Sequence, residues 1–205
     1  MSDALSIDHA VARQAERHEA AAKATFGFWV YLMTDCVLFA SLFAVYAVIH
    51  GNTYGGPSGQ QLFKLPYVLL ETLVLLTSSF TCGLGVLAAR RNRKQQVLFW
   101  FILTFVLGIA FLVLELTEFR HLDMDGNSWR RSGFLSAYFT LVGTHGLHIT
   151  VGLLWMLVML IKVGTKGLKG STVHKLTLLS MFWHFLDLIW IFIFTIVYLF
   201  GARGI

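Results

Sequence analysis

The stretch "QVLFWFILTFVLGIAFLVLELTE", residues 96–118, decides the class of the fold. It contains no ionisable residue before Glu115. An α-helix needs about 20 largely apolar residues to cross the hydrocarbon layer of a membrane. The stretch therefore predicts a transmembrane helix, and the chain that carries it is expected to be a membrane protein.

The rest of the chain has the same character. Of its 205 residues, 57% are hydrophobic and only 13% are charged, which differs from the usual composition of soluble domains. Five stretches are long enough to span a membrane: residues 26–49, 67–89, 96–118, 133–161 and 176–200. We predict an all-α membrane protein with five transmembrane helices in one bundle. Residues 1–25 form a polar N-terminal tail, and residues 26–205 form the transmembrane domain.

The basic residues predict how the chain is oriented in the membrane. The odd-numbered aqueous segments hold most of them: Arg13, Arg17, Lys23, Arg90, Arg91, Arg93, Lys94, Lys162, Lys166, Lys169 and Lys175. The even-numbered segments hold the remainder: Lys64, Arg120, Arg130, Arg131 and Arg203. Because cytoplasmic segments carry the excess of lysine and arginine, we predict a cytoplasmic N-terminus and tail and a periplasmic C-terminus. The net charge of +5 is explained by this topology and by lipid contact, so no nucleic-acid partner is expected.

A few ionisable residues lie inside the predicted spans. They are Asp35, Glu71, Glu115, Glu118, His145, His148, His184 and Asp187. Such groups cost several kcal/mol at membrane depth unless they are paired or neutral, which makes them candidates for function. The alternative for each one is a structural hydrogen bond between helices.

Position along the helices separates these residues into layers. At about 1.5 Å of rise per residue, Asp35, His184 and Asp187 share a layer just inside the membrane midplane. We expect Asp35 to be either protonated or hydrogen-bonded to His184. The three glutamates lie in the outer third of the membrane, where they can reach water or pair with three outer arginines: Arg120, Arg130 and Arg131.

The histidines raise the possibility of a metal or haem site. The sequence "THGLH" places His145 and His148 on one face of a helix, at a spacing that permits metal binding. Two ligands on one helical stripe cannot, however, bind opposite faces of a haem. A di-iron bundle requires a Glu-x-x-His motif on each of two helices plus two further glutamates, whereas the ionisable residues inside these spans follow the orders His-x-x-Asp, His-x-x-His and Glu-x-x-Glu at mismatched depths. We therefore predict no metal site in this chain.

Two further patterns predict contacts. On the last helix Trp183, Asp187, Trp190 and Phe194 lie on one stripe, which is typical of a packing surface for another protein or for lipid. On the fourth helix, small residues let another helix approach closely. These small residues are Gly143, Gly146, Thr150 and Gly152.

Four sequence blocks, in this order, resemble a known family. They are "GFWVYLMTDCVLF" (27–39), "LELTEF" (114–119), "GTHGLHITVG" (143–152) and "FWHFLDLIWIF" (182–192). The blocks are similar to those of subunit III of the haem-copper respiratory oxidases, and the similarity covers nearly the whole chain after the tail. In that family the first block commonly carries glutamate where this chain has Asp35.

The resemblance implies an accessory role in a bacterial inner membrane. Subunit III carries no redox centre. Haem b, haem o and copper are expected in the catalytic subunit I, with subunits II and IV as further partners. The resemblance also implies bound phospholipid and support of assembly, proton uptake and turnover stability. The polar residues that fall in the shared blocks are Asp35, Glu118, His145, His148, His184 and Asp187, with Trp183 and Trp190 beside them.

Helix number narrows the resemblance to one branch. Subunit III of cytochrome c oxidases usually has seven helices, whereas five helices are typical of the bo-type ubiquinol oxidases, which are proton-pumping terminal oxidases of aerobic respiration. The alternatives are subunit III of a cytochrome c oxidase, the related subunit of a nitric oxide reductase, or a small proton-coupled transporter that uses its buried acids and histidines as a relay.

Overall fold

A computed structural model describes the backbone of residues 2–53 and 65–203, and the side chains from residue 14 onward within these ranges except 17, 18, 202 and 203. The described backbone is helical and contains no β-strand. Its helices are α1 (Ser2–Ile49), α2 (Leu65–Arg90), α3 (Lys94–Met124), α4 (Gly133–Lys166) and α5 (Gly170–Ile193). Each is part of a helical segment long and apolar enough to cross a membrane, which confirms the prediction of five such helices.

The connections between helices form where the sequence carries turn signals. Asn92, between α2 and α3, has a φ of 56°, and Gly126, after α3, has a φ of 76°. The side chain of Ser132 caps α4 by accepting a hydrogen bond of 3.2 Å from the backbone N–H of Leu135. Helix α3 runs to Met124, so the outer loop begins later than its polar sequence predicts. Hydropathy marks the part of a helix that lies in hydrocarbon, and the backbone hydrogen bonds continue beyond it.

Helix α5 continues without a break into a π-helical segment, Phe194–Leu199, and then a final α-helical turn, Phe200–Arg203. A π-helix is rare because its wider turns pack less well along the axis. Within this segment Val197 and Tyr198 are both fully buried.

The chain divides into two compact units, Met1–Val37 and Leu38–Ile205. In the second unit α2 packs against α3 and α5, and α4 packs against the same two helices. The last turns of α1 join this unit through Phe39, whose ring lies 5.2 Å from the ring of His148, and through Phe43, 6.5 Å from the ring of Phe192. The described part of the first unit, residues 2–37, is helical throughout. A single bundle of all five helices stays a prediction.

Some of the predicted features lie outside the description. Lys64 falls in the undescribed connection between α1 and α2. The side chains of Arg13, Arg17 and Arg203 are likewise undescribed. The described part of the tail is the start of α1.

Candidate functional site

A row of hydrogen bonds joins α5 to α2. Each bond links a ring nitrogen of α5 to a hydroxyl group of α2. Trp190 Nε1 donates to Thr72 Oγ1 at 3.1 Å, and Trp183 Nε1 donates to Ser78 Oγ at 3.1 Å. His184 Nδ1 lies 2.6 Å from Ser79 Oγ. Hydrogen bonds between helices satisfy polar groups that would otherwise be stranded in hydrocarbon, so this row fastens the two helices in one register.

The two tryptophans of this row lie inside the protein. Trp183 is 1% exposed and Trp190 is 0% exposed. The ring of Trp183 packs so closely on α3 and α4 that a Cβ built at Gly108 would lie 2.9 Å from it, and one at Gly152 would lie 3.0 Å from it. The expectation that these residues face lipid or another protein is therefore wrong. In a membrane both the lipid-facing and the protein-facing sides of a helix are apolar. An aromatic stripe on α5 therefore does not show whether that side faces lipid or the protein interior.

His184 and Asp187 sit at the surface end of the same contact. His184 is exposed, whereas Asp187 is 9% exposed. The hydroxyl group of Ser79 contacts His184 and is also within hydrogen-bonding reach of the Asp187 carboxyl group. The Oδ1 atom of Asp187 has no hydrogen-bond partner in the described chain. These two residues thus anchor α5 to α2 and leave polar atoms unsatisfied.

The glutamates form a second polar group between α2 and α3. Glu71 is 0% exposed and Glu115 is 1% exposed, and none of their four carboxyl oxygens has a hydrogen-bond partner in the described chain. Glu118 follows Glu115 by three residues on α3, so these two acids lie on the same face of that helix. Among the described side chains the ion pair is that of Lys23 with Glu19. The expectation that Glu71 and Glu115 reach water or pair with outer arginines is therefore wrong, because both point into the protein.

Glu118 is satisfied by two tyrosines from other helices. Tyr198 of the π-helical segment donates its hydroxyl hydrogen to Glu118 Oε2 at 2.8 Å. The hydroxyl oxygens of Tyr138 and Tyr198 lie 2.9 Å apart. Because Tyr198 donates its hydrogen to Glu118, it accepts from Tyr138. The chain Tyr138–Tyr198–Glu118 links α4, the π-helical segment and α3 through three polar side chains.

Of the four predicted small residues of α4, Gly146 and Gly152 lie at close contacts with other helices. A Cβ built at Gly146 would lie 2.6 Å from Glu115 Oε1, and one at Gly143 would lie 3.8 Å from the ring of Phe119. Gly152 faces the ring of Trp183. Thr150 returns its hydroxyl group to the carbonyl oxygen of Gly146 at 2.9 Å. Glycine at position 146 therefore makes room for the Glu115 carboxyl group.

The two histidines of "THGLH" have different surroundings. His145 is 0% exposed, and neither of its ring nitrogens has a hydrogen-bond partner in the described chain. Its ring stacks at 5.2 Å on Trp190 and lies 6.0 Å from the ring of Phe111. His148 Nδ1 lies 2.7 Å from the carbonyl oxygen of Thr144 in its own helix. Among the described residues no group of three or more histidine, cysteine, aspartate or glutamate side chains is placed to hold a metal ion.

Asp35 belongs to the other unit of the chain, where its side chain is 7% exposed. Its predicted hydrogen bond with His184 stays a prediction, although the Nδ1 atom of His184 already has Ser79 as a partner.

Sequence reasoning missed the hydroxyl partners of these groups. Trp183 and Trp190 are seven residues apart and share one face of α5, whereas their acceptors Ser78 and Thr72 are six residues apart on α2. The sequence therefore indicated that the two tryptophans act together, but not which hydroxyl groups they meet. The contribution of Tyr138 and Tyr198 had no comparable signal, because it depends on the π-helical segment.

Comparison with known proteins shows the family to which this chain belongs. A family model described as cytochrome c oxidase subunit III matches residues 10–202. The chain belongs to the cytochrome c oxidase subunit III family. This confirms the resemblance that the four sequence blocks carry, within the haem-copper oxidases.

Relatives in this subunit III family come from several bacteria. A protein of Pseudomonas aeruginosa named cytochrome bo(3) ubiquinol oxidase subunit 3 is 51% identical over 202 residues, which cover 98% of this chain and 95% of that protein. The protein of the same name from Pseudomonas putida is 49% identical over 185 residues, or 90% of this chain and 89% of the relative. The cytochrome c oxidase subunit 3 of Bacillus sp. PS3 is 43% identical over 178 residues, or 87% of this chain and 86% of the relative.

Proposed function

We propose that this chain is the cofactor-free accessory subunit III of a proton-pumping terminal ubiquinol oxidase in a bacterial inner membrane. It packs on the catalytic subunit I, which carries haem b, haem o and copper, and it assembles with subunits II and IV. It holds phospholipid and supports assembly, proton uptake and stability during turnover.

One observation carries this proposal. The relative from Pseudomonas aeruginosa, a subunit of a ubiquinol oxidase by name, shares 51% of its residues with this chain over 95% of its own length. The match leaves little of either protein unaccounted for, so the two chains are expected to occupy the same place in the same kind of complex.

The geometry of the polar groups agrees with an accessory role. The ring nitrogens of Trp183, His184 and Trp190 are bonded or close to hydroxyl groups of α2, and Glu118 is bonded to Tyr198. These contacts use the polar atoms to join helices, which stabilises a scaffold. We assign a fastening role to His184 and Asp187 and a role in the proton environment to Asp35, Glu118, His145 and His148.

Charge supports a particular orientation for the subunit. The short connection Arg91–Arg93 and its neighbours Arg90 and Lys94 make the α2–α3 turn strongly basic. We place this turn, the connection between α4 and α5, and the tail of residues 1–25 in the cytoplasm, and the C-terminus in the periplasm.

A second candidate differs in the electron donor. The relative from Bacillus sp. PS3 is named a cytochrome c oxidase subunit and is 43% identical. In this alternative the chain has the same accessory role, but the catalytic subunit on which it packs receives electrons from cytochrome c.

Affinity purification of the chain from its own membranes tests the proposal. We expect haem b, haem o and copper to co-purify in stoichiometric amount and the preparation to consume oxygen when supplied with ubiquinol. Oxygen uptake driven by reduced cytochrome c, with no response to ubiquinol, would support the second candidate. A tagged chain that purifies without any haem protein would contradict both.

A further inference from the structure

His184 and Asp187 lie halfway along the membrane span of α5. The span Gly170–Leu199 has 30 residues, and His184 is in the middle of it. The hydrocarbon layer is about 30 Å thick, so a group at its centre is about 15 Å from the lipid headgroups on either side. Neither lipid headgroups nor bulk water can hydrogen-bond to side chains at that depth.

The surface around these two residues is apolar. The exposed large hydrophobic side chains nearest in sequence are Leu188 and Ile191 on α5, which are 52% and 42% exposed, and Leu76 and Phe80 on α2, which are 38% and 68% exposed. The exposed Thr77 on α2 uses its hydroxyl hydrogen within its own helix, in a bond to the carbonyl oxygen of Leu73. Gly83 lies beside the His184 ring, since a Cβ built at this glycine would be 3.9 Å from His184 Nε2. Together Ser79, Gly83, His184 and Asp187 form a polar notch between two apolar ridges. We call it the mid-membrane notch.

Hydrogen bonding within the mid-membrane notch is incomplete. Ser79 has one hydroxyl hydrogen, and both His184 Nδ1 and the Asp187 carboxyl group are within its reach. Asp187 Oδ1 is buried without a partner. His184 Nε2 is a donor or an acceptor according to which nitrogen carries the hydrogen, and it has no partner in α2. An unsatisfied polar group in hydrocarbon costs several kcal/mol, so the notch is suited to a further hydrogen-bonding group.

We propose that the mid-membrane notch receives a transmembrane helix of the partner subunit, which carries a hydroxyl or carboxamide side chain at the middle of its own span. Such a side chain both donates and accepts, so it can bond to Nε2 of the exposed His184 ring whichever ring nitrogen carries the hydrogen. The apolar ridges of Leu76, Phe80, Leu188 and Ile191 pack against the rest of the partner helix. This inference rests on the proposed function, because it names the surface through which the accessory subunit binds the catalytic subunit.

Photo-crosslinking in the intact oxidase complex tests this contact. A benzophenone amino acid is placed at Leu188, one turn from His184, and in a separate variant at Leu154, which is 59% exposed on α4. We expect Leu188 to crosslink to a membrane helix of the catalytic subunit several-fold more than Leu154 does. Crosslinks from Leu188 only to lipid, or only to residues 2–37 of the same chain, would overturn the proposal, as would equal crosslinking from the two positions.

Retention of the subunit in the purified complex tests the polar part of the contact. His184→Phe keeps the bulk and removes the polar group, and it should lower retention about threefold or more, because hydrogen bonds between membrane helices contribute about 0.6 kcal/mol on average. The matched control Ser78→Ala removes the acceptor of an α5–α2 hydrogen bond that is buried inside the chain, and it should leave retention near that of the wild type. Equal retention of the His184→Phe and Ser78→Ala variants would overturn the proposal.

Purification of the wild-type complex shows whether a negative result concerns the notch contact or the proposed function as a whole. If the tagged wild-type chain brings down no haem protein, the proposed function is wrong. If it does bring down the catalytic subunit and Leu188 does not crosslink to it, the assignment of the notch alone is wrong.

Discussion

Gly146 brings the carboxyl group of Glu115 against the backbone of α4. Real Cβ atoms do not approach other atoms as closely as the 2.6 Å found between a Cβ built at this position and Glu115 Oε1. The absence of a side chain at one position thus determines where an acid on another helix can lie.

Substitution of Gly146 by alanine tests this contact. The added methyl group forces the carboxyl end of the buried Glu115 side chain to move, and it should cost about 1 kcal/mol of stability, the low end of the range for overpacking, because a side-chain end and no backbone is displaced. Thermal unfolding in detergent should show the loss. The control is Gly164→Ala on the same helix, where an added Cβ meets nothing within 4 Å and alanine favours the helix. Equal effects of the two substitutions would contradict the contact.

Glu71 and Glu115 are expected to be neutral acids. Both are buried, and the described chain supplies neither a hydrogen-bond donor nor an ion pair to their oxygens. A charged carboxylate without a partner in an apolar interior costs far more than a neutral carboxyl group.

Infrared spectroscopy of the purified complex tests the protonation of these acids. Glu71→Gln and Glu115→Gln should each remove intensity from the carbonyl band of protonated carboxyl groups at neutral pH. Glu19→Gln is the control, because Glu19 is exposed and forms an ion pair of 2.7 Å with Lys23. Loss of intensity only from the ionised carboxylate band in the Glu71 and Glu115 variants would show that the acids are charged.

At the scale of elements, α5 is positioned by the row of hydroxyl groups on α2. The donors and acceptors run in opposite directions along the two chains, as antiparallel helices require: Trp183 meets Ser78, and Trp190 meets Thr72. Loss of one bond weakens the contact between the helices without removing much packing.

Paired substitutions at Thr72 test the row. Thr72→Val keeps the shape and leaves Trp190 Nε1 without its acceptor, so it should lower the free energy of unfolding by about 0.6–1.7 kcal/mol. Thr72→Ser keeps the hydroxyl group and should cost less. Denaturant unfolding in mixed micelles measures both. A serine variant that is as unstable as the valine variant would show that the methyl group, not the hydrogen bond, stabilises the contact.

At the scale of the whole molecule, hydropathy and turn chemistry reveal most of the architecture. The five long helices follow from apolar length alone, and the cap at Ser132 follows from residue type. Which face of each helix is buried could not be predicted, because lipid and protein interior are both apolar. Trp183 and Trp190 illustrate this, since their stripe predicts a surface that faces lipid or another protein, whereas both rings are buried inside this chain. The pairing of His184 with Ser79 could not be predicted either, because the sequence offers many hydroxyl groups to each histidine inside a span.

Reporter fusions test the orientation that charge predicts. Alkaline phosphatase, which is active only outside the cytoplasm, should be active when fused after Gly126, in the α3–α4 loop. It should be inactive when fused after Asn92, in the basic α2–α3 turn, because lysine and arginine favour the cytoplasmic side. The reverse pattern would invert the topology and place the basic turns in the periplasm.

The central claim is that the buried acids and histidines of this chain fasten and tune a neighbouring catalyst and ligate no electron carrier. The most direct test is to separate the chain from its complex and to measure its visible spectrum together with its iron and copper content. We predict a protein without a haem band and with neither metal in stoichiometric amount. One equivalent of iron or copper that stays with the separated chain would contradict the account.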